Sequence, residues 1–254
     1  MAAAVALSAC DYTPVETSVS VFVDKTEIEE RGRQLLADPE EVERIIALLT
    51  DRNDPQGRLD GGEVTFYVVD DHRLLGRGRK VTLETASWVD NEHIRQADID
   101  RFADALRDTY AELFLTEQAQ AEQAIQTYTQ TFIVDPVCQY FRQVSEEGPS
   151  ARRRVVLFYS DLLEHSSVFS FYTVPPSVIA QHRDEAVQRF LEVCHDVDLT
   201  APLSYQLVQQ PLMVGESDQK QFEARRIWQS FLNELGLVEM GGGTEQAGGE
   251  RAAD

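Results

Sequence analysis

Alternating β-rich and helical segments predict an α/β protein: a three-layer sandwich whose mainly parallel central sheet carries one antiparallel edge hairpin strand. Two observations carry this expectation. Residues 155–159 form a near-continuous apolar run of the kind buried on both faces of a parallel sheet, and the strand-like segment 63–69 is followed closely by an alternating partner at 80–85.

In chain order, Val19–Val23 is a β-branched run ending at Asp24, and a helical pattern follows from about Glu27 to Leu49, with a break predicted at Ala37, Asp38 and Pro39. Glu63–Val69 is the second strand, Asp70–Gly78 reads as a turn rich in charge and glycine, and Lys80–Thr85 closes the hairpin. Ile94–Val144 reads as helices, with Phe102, Leu106, Tyr110 and Leu113 at helical spacing and an irregular patch over Thr129–Pro136. Arg152, Arg153 and Arg154, read as a solvated strand entrance, precede the apolar strand Val155–Tyr159, which ends at Ser160 and Asp161. Ser177–His195 is predicted helical and Ser204–Val208 is the final strand. The last helix, Gln219–Leu235, carries Phe222, Ile227, Trp228, Phe231 and Leu235. With no internal repeat and no long linker, one domain over residues 18–240 is expected. It is preceded by a separate leader at 1–17 and followed by a glycine-rich tail at 241–254 that is expected to be disordered.

The chain has 254 residues, 43% of them hydrophobic, which is enough for a full apolar core. No apolar run reaches the roughly 18 residues needed to span a bilayer. Against 44 acidic residues stand 23 basic ones, a net charge of −21, which disfavours nucleic acid or anionic lipid as a partner. The charge reads first as a solubility property of the surface.

Residues 1–10 are a short apolar stretch ending in Leu7, Ser8, Ala9 and Cys10, and the chain turns polar at Asp11. That tetrad resembles the lipobox of bacterial lipoproteins. The resemblance implies cleavage before Cys10, a diacylglycerol on its sulfur, and a domain tethered to the bacterial cell envelope, periplasmic or extracellular, through a linker over Thr13–Ser18. Membrane contact would then be through the lipid anchor only. Setting Cys10 aside leaves Cys138 and Cys194, which fit either one disulfide or two buried thiols. No Cys-x-x-Cys or His-plus-Cys cluster argues for zinc.

Ligands of such sheets bind outside the carboxyl ends of the strands. Asp24 and Asp161 each immediately follow an apolar strand. If those strands are parallel neighbours, both carboxylates and the hydroxyls of Thr26 and Ser160 enter one crevice, a donor set suited to Mg²⁺. Taken alone, each aspartate also fits a helix N-cap.

At these residues a family resemblance emerges. Val21, Phe22, Val23, Asp24 and Thr26 resemble the first strand and the start of the metal-ion-dependent adhesion site of von Willebrand factor type A domains. Val155–Tyr159 with Ser160, Asp161 and Glu164 resembles that family's fourth strand and trailing acid. The order of elements is similar too, including a closing helix with an internal tryptophan, here Trp228. The resemblance implies a Mg²⁺ site built by Asp24, Thr26, Asp161 and a loop threonine, Thr131 in preference to Thr129, with Ser160 and Glu164 beside it. The chain departs from the pattern at Ile28, where the family has a second hydroxyl.

The expectation is therefore a non-enzymatic, membrane-anchored module that binds an unidentified protein at the Asp24/Asp161 crevice, with Mg²⁺ as cofactor. The alternatives are a metal-free scaffold of an envelope or secretion assembly, for which Ile28 speaks, and phosphotransfer with Asp24 as nucleophile. Against the last, the residue two after Asp24 is Thr26 rather than a second aspartate, and the chain has no phosphate-binding glycine loop. His165, close behind Asp161 and Glu164, reads as a surface or capping histidine rather than a base supporting the site, since no nucleophile partner is evident, and His72, His93, His182 and His195 read as structural or exposed.

Overall fold

The structure, a computed structural model, describes residues 15–24, 36, 38–49, 62–70, 73–83, 92–123, 132–147, 151–199, 202–209 and 218–240. Its strands are β1 (Val15–Asp24), β2 (Gly62–Asp70), β3 (Arg73–Leu83), β4 (Ala151–Ser160), β5 (Leu203–Gln209) and β6 (Val238–Glu239). They form one sheet in the order β3-β2-β1-β4-β5-β6, in which every neighbouring pair is parallel except β2 with β3. The helices are α1 (Pro39–Leu49), α2 (Glu92–Gln123), α3 (Val134–Glu147), α4 (Pro176–Gln181), α5 (Arg183–Val193) and α6 (Asp218–Glu234). This is the three-layer α/β architecture that the sequence predicts.

The layers follow from the two-residue period of the strands. Val19, Val21 and Val23 of β1, with Val155, Leu157 and Tyr159 of β4, face a core shared with α1 and α2. Phe22, Val156 and Phe158 face the opposite core, built with α3, α4, α5 and α6. Residues 155–159 are all buried, as a strand covered on both faces requires. The second core is rich in aromatic contacts: Phe22 stacks between Tyr67 and Phe158, and Trp228 meets Phe158, Phe190 and Phe231. Ser20, a polar residue on this apolar face, shares a 2.8 Å hydrogen bond with the Tyr140 hydroxyl.

Several expectations are corrected. The segment 70–78 is mostly strand rather than turn, because β2 runs to Asp70 and β3 begins at Arg73. Its glycines serve a bulge: Leu75 pairs with Val68 and Arg79 with Phe66, so three residues, Gly76, Arg77 and Gly78, stand against Tyr67 alone. The helix over 177–195 is two helices, parted at His182, whose N–H donates to the carbonyls of both Val178 and Ile179. Helix α3 starts at Val134, ahead of Pro136, which is tolerated because first-turn N–H groups have no intrahelical partner. Phe222 is 56% exposed, since five residues of α6 turn it away from Ile227. Two of the three arginines before the apolar strand, Arg153 and Arg154, do not form a solvated entrance. Arg154 is buried, and Arg153 donates to the Leu48 carbonyl at 3.0 Å, at the end of α1.

The break at Asp38 is as predicted: its carboxylate accepts the Glu40 N–H at 3.0 Å and caps α1. Cys138 of α3 and Cys194 at the end of α5 form a disulfide with a Cα–Cα distance of 5.1 Å, so the bonded alternative holds. Arg142 reinforces that junction by donating to Asp196 and to the Val193 carbonyl. The helical pattern over 27–35 and the tail at 241–254 lie outside the described residues.

Candidate functional site

Strands β1 and β4 are adjacent and parallel at the centre of the sheet, with Val23 opposite Tyr159. The chain winds outward in opposite directions from this pair, so the gap beyond their carboxyl ends is the topological switch point where such sheets hold ligands. Asp24 closes β1 and Ser160 closes β4. Both continue the row of Phe22 and Phe158, on the α3 side of the sheet. The Ser160 hydroxyl donates to Asp24 Oδ2 at 2.9 Å, joining residues 136 apart in sequence.

Three polar groups then fold the next segment. The Leu162 N–H donates to Ser160 Oγ at 2.9 Å, and the Leu163 N–H donates to Asp161 Oδ1 at 2.9 Å. Leu162 sits at φ +65°, a left-handed conformation costing roughly 1–2 kcal/mol for a residue with a Cβ. It is held there by burial and by Trp228, whose indole N–H donates to the Leu162 carbonyl at 3.1 Å. The tryptophan of the closing helix thus pins the segment that follows β4.

Glu164 ends this segment and is 1% exposed. Its Oε2 accepts the N–H groups of Ile133 at 2.7 Å and Val134 at 3.1 Å, so it caps the N-terminus of α3 from 30 residues away. Burial pushes this carboxyl up to about 7, and the charge of Asp24 adds to the shift, against hydrogen bonds from Ser166, Ile133 and Val134. Beyond it, the Ser166 N–H donates to the Phe169 carbonyl and the Phe171 N–H to the Glu164 carbonyl. His165 Nδ1 meets Ser170 Oγ at 2.6 Å, and Phe171 is buried.

Of the residues singled out from sequence, Asp24, Ser160, Asp161 and Glu164 converge at this end, all buried, with Asp24 2% exposed. Thr26, Ile28, Thr129, Thr131 and Cys10 lie outside the described residues. Among the described residues, no three His, Cys, Asp or Glu side chains are grouped to hold a metal ion. The donor chemistry present is that of Asp24 and Asp161, two buried carboxylates already engaged within the fold, Asp24 by the Ser160 hydroxyl and Asp161 by the Leu163 N–H.

Sequence reasoning missed a second buried polar cluster on the other face of the same end. The Tyr159 hydroxyl donates to Glu41 Oε2 at 2.9 Å, and Arg44 Nε donates to the same oxygen at 3.0 Å. Burial, followed by the charge of Glu41, raises the tyrosine pKa well above its ordinary value, so it remains a donor. The signal was present: Glu41 shares the inward row of α1 with Ile45, Leu48 and Leu49, where an acid needs a partner.

No protein-family model and no curated protein matches the sequence. Among solved structures, the crystal structure of the human COPII-coat protein Sec24c is similar at a TM-score of 0.40 and 11% identity. The match covers 89% of this chain and 30% of that one.

Proposed function

We propose that this chain is an interaction module resembling von Willebrand factor type A domains, and that it binds a partner protein at the switch-point crevice bounded by Asp24 and Asp161. The observation that carries the reading is the parallel pairing of β1 with β4, which sets Ser160 on Asp24 and starts the Asp161 segment beside them. In this reading Asp24 and Asp161, with Thr26 and Thr131, would hold Mg²⁺, which would supply Lewis-acid attraction for a carboxylate of the partner. The chain's own residues orient the site. Ser160 fixes the Asp24 carboxylate, and Glu164 and Trp228 fix the backbone that carries Asp161. A lipid on Cys10 would tether the module to a bacterial envelope. The Cys138–Cys194 disulfide supports an oxidising compartment outside the cytoplasm.

The test is thermal unfolding in EDTA and in millimolar Mg²⁺ or Mn²⁺, with Asp24→Asn as control, because asparagine keeps an oxygen for the Ser160 hydroxyl while losing the charge. Free metal at ten times Kd is expected to stabilise the native chain by about 1.4 kcal/mol, and the variant not at all. No shift in the native chain overturns the metal-bearing form and leaves the metal-free scaffold. That second reading is favoured by Ile28 and by the extent to which the crevice carboxylates already bond within the fold. Phosphotransfer is the weakest reading, since the residue two after Asp24 is Thr26 rather than a second aspartate.

A further inference from the structure

Strand β3 is one margin of the sheet. β2 pairs with one of its edges, and among the described residues no strand lies on the other. Helices α2 and α3 both pack against β3, and its outer margin carries a hydrogen-bonding edge. Such an edge presents backbone N–H and C=O groups that template another strand. Beyond the bulge, Arg79–Leu83 runs in unbroken register against Phe66–Gly62, a stretch of ordinary strand length. Within it Val81 is buried, while Lys80 and Thr82 are exposed. The opposite margin, β6, has two residues and offers no comparable template.

Charge selects among strands that could pair here. β3 carries Arg73, Arg77, Arg79 and Lys80, the last paired with Glu63 of β2, and no acidic residue of its own, in a chain where 44 acids face 23 bases. A second copy of β3 laid against it would bring cations together, which disfavours edge-to-edge dimers. An acidic strand meets the opposite situation: backbone pairing supplies affinity, and the local inversion of charge supplies selectivity and a faster encounter.

We propose that the Arg79–Leu83 edge of β3 is a docking site for an extended acidic segment of a partner protein, which adds to the sheet as a further antiparallel or parallel strand. This surface is independent of the Asp24/Asp161 crevice and needs no metal.

The probe is an eight-residue peptide of alternating valine and glutamate, compared with the same peptide carrying glutamine in place of glutamate, each titrated into the full chain by calorimetry. Amide hydrogen exchange at 79–83 reports the place of binding. The glutamate peptide is expected to bind at least about tenfold more tightly than the glutamine one and to lose about tenfold between 50 and 300 mM NaCl. It should also slow exchange at 79–83. Arg79→Glu should abolish that preference with an unchanged unfolding midpoint. It leaves the ion pair between Lys80 and Glu63 in place, so loss of binding is not loss of the hairpin. Equal binding of both peptides, protection elsewhere in the chain, or no binding would overturn the proposal and leave the cations with the task of keeping copies apart.

Discussion

Glu164 is a carboxyl group with almost no access to water, asked to satisfy two backbone donors at the start of α3. A carboxyl whose pKa rises from 4.5 to about 7 on folding holds its proton more tightly in the native state. Its stabilising share is therefore complete below pH 4.5 and is lost as pH climbs through about 7, a change of about 3 kcal/mol for a shift of this size. Glutamine keeps an acceptor oxygen without the titration. Urea midpoints at pH 5 and pH 8 should show Glu164→Gln gaining stability relative to the native chain as pH rises; a gap that does not change with pH would remove the buried charge from the account. Neither this cap nor the Tyr159–Glu41 bond was legible as a pair, because each joins residues far apart in sequence. A local pattern names the residue types and leaves the partner open.

At the scale of the element, the disulfide closes a loop of 56 residues between α3 and the end of α5. The chain-entropy model gives such a cross-link about 4 kcal/mol, so reduction should lower the melting temperature markedly, as should the double replacement Cys138→Ala with Cys194→Ala. A melting temperature indifferent to dithiothreitol would show that the packing of α3 on α5, with Arg142 at the junction, suffices without the bond. Strands with a clear pattern were legible: Val19–Val23 and Val155–Tyr159 announce burial through β-branched and apolar runs. The elements that were misread share a cause. Gly76 and Gly78 look like a turn locally and act as a bulge only because β2 continues alongside, and the interruption at His182 has no proline or glycine to mark it. β6 is two residues long and exists through its pairing with β5.

Across the whole molecule the dominant electrostatic fact is the excess of acid, 44 residues against 23, or 21 negative charges net. Compaction brings these charges closer together, so self-repulsion opposes folding and salt relieves it. Among the described residues, the exposed ion pairs that salt weakens contribute little, as between Arg107 and Asp104. Raising NaCl from 50 to 500 mM should therefore increase the melting temperature by a few degrees, measured by circular dichroism; a decrease would mean that paired charges outweigh the net excess. The fold class was legible because it rests on the order and period of segments. The crevice was legible in part: Asp24 and Asp161 each follow an apolar strand, but that the two strands are parallel neighbours was only a condition in the sequence and is supplied by the sheet order.

The central position of β1 has a consequence in time. Its two neighbours come from residues 62–70 and 151–160, and the Ser160 hydroxyl that fixes Asp24 is supplied 136 residues later. Contacts of such separation close large loops and form slowly. While the chain is being made, Asp24 has no crevice around it until β4 has emerged, and Trp228 arrives later still to hold Leu162. The switch-point end of the sheet is therefore among the last parts to mature. A chain interrupted before α6 would display the carboxylates without the support that positions them.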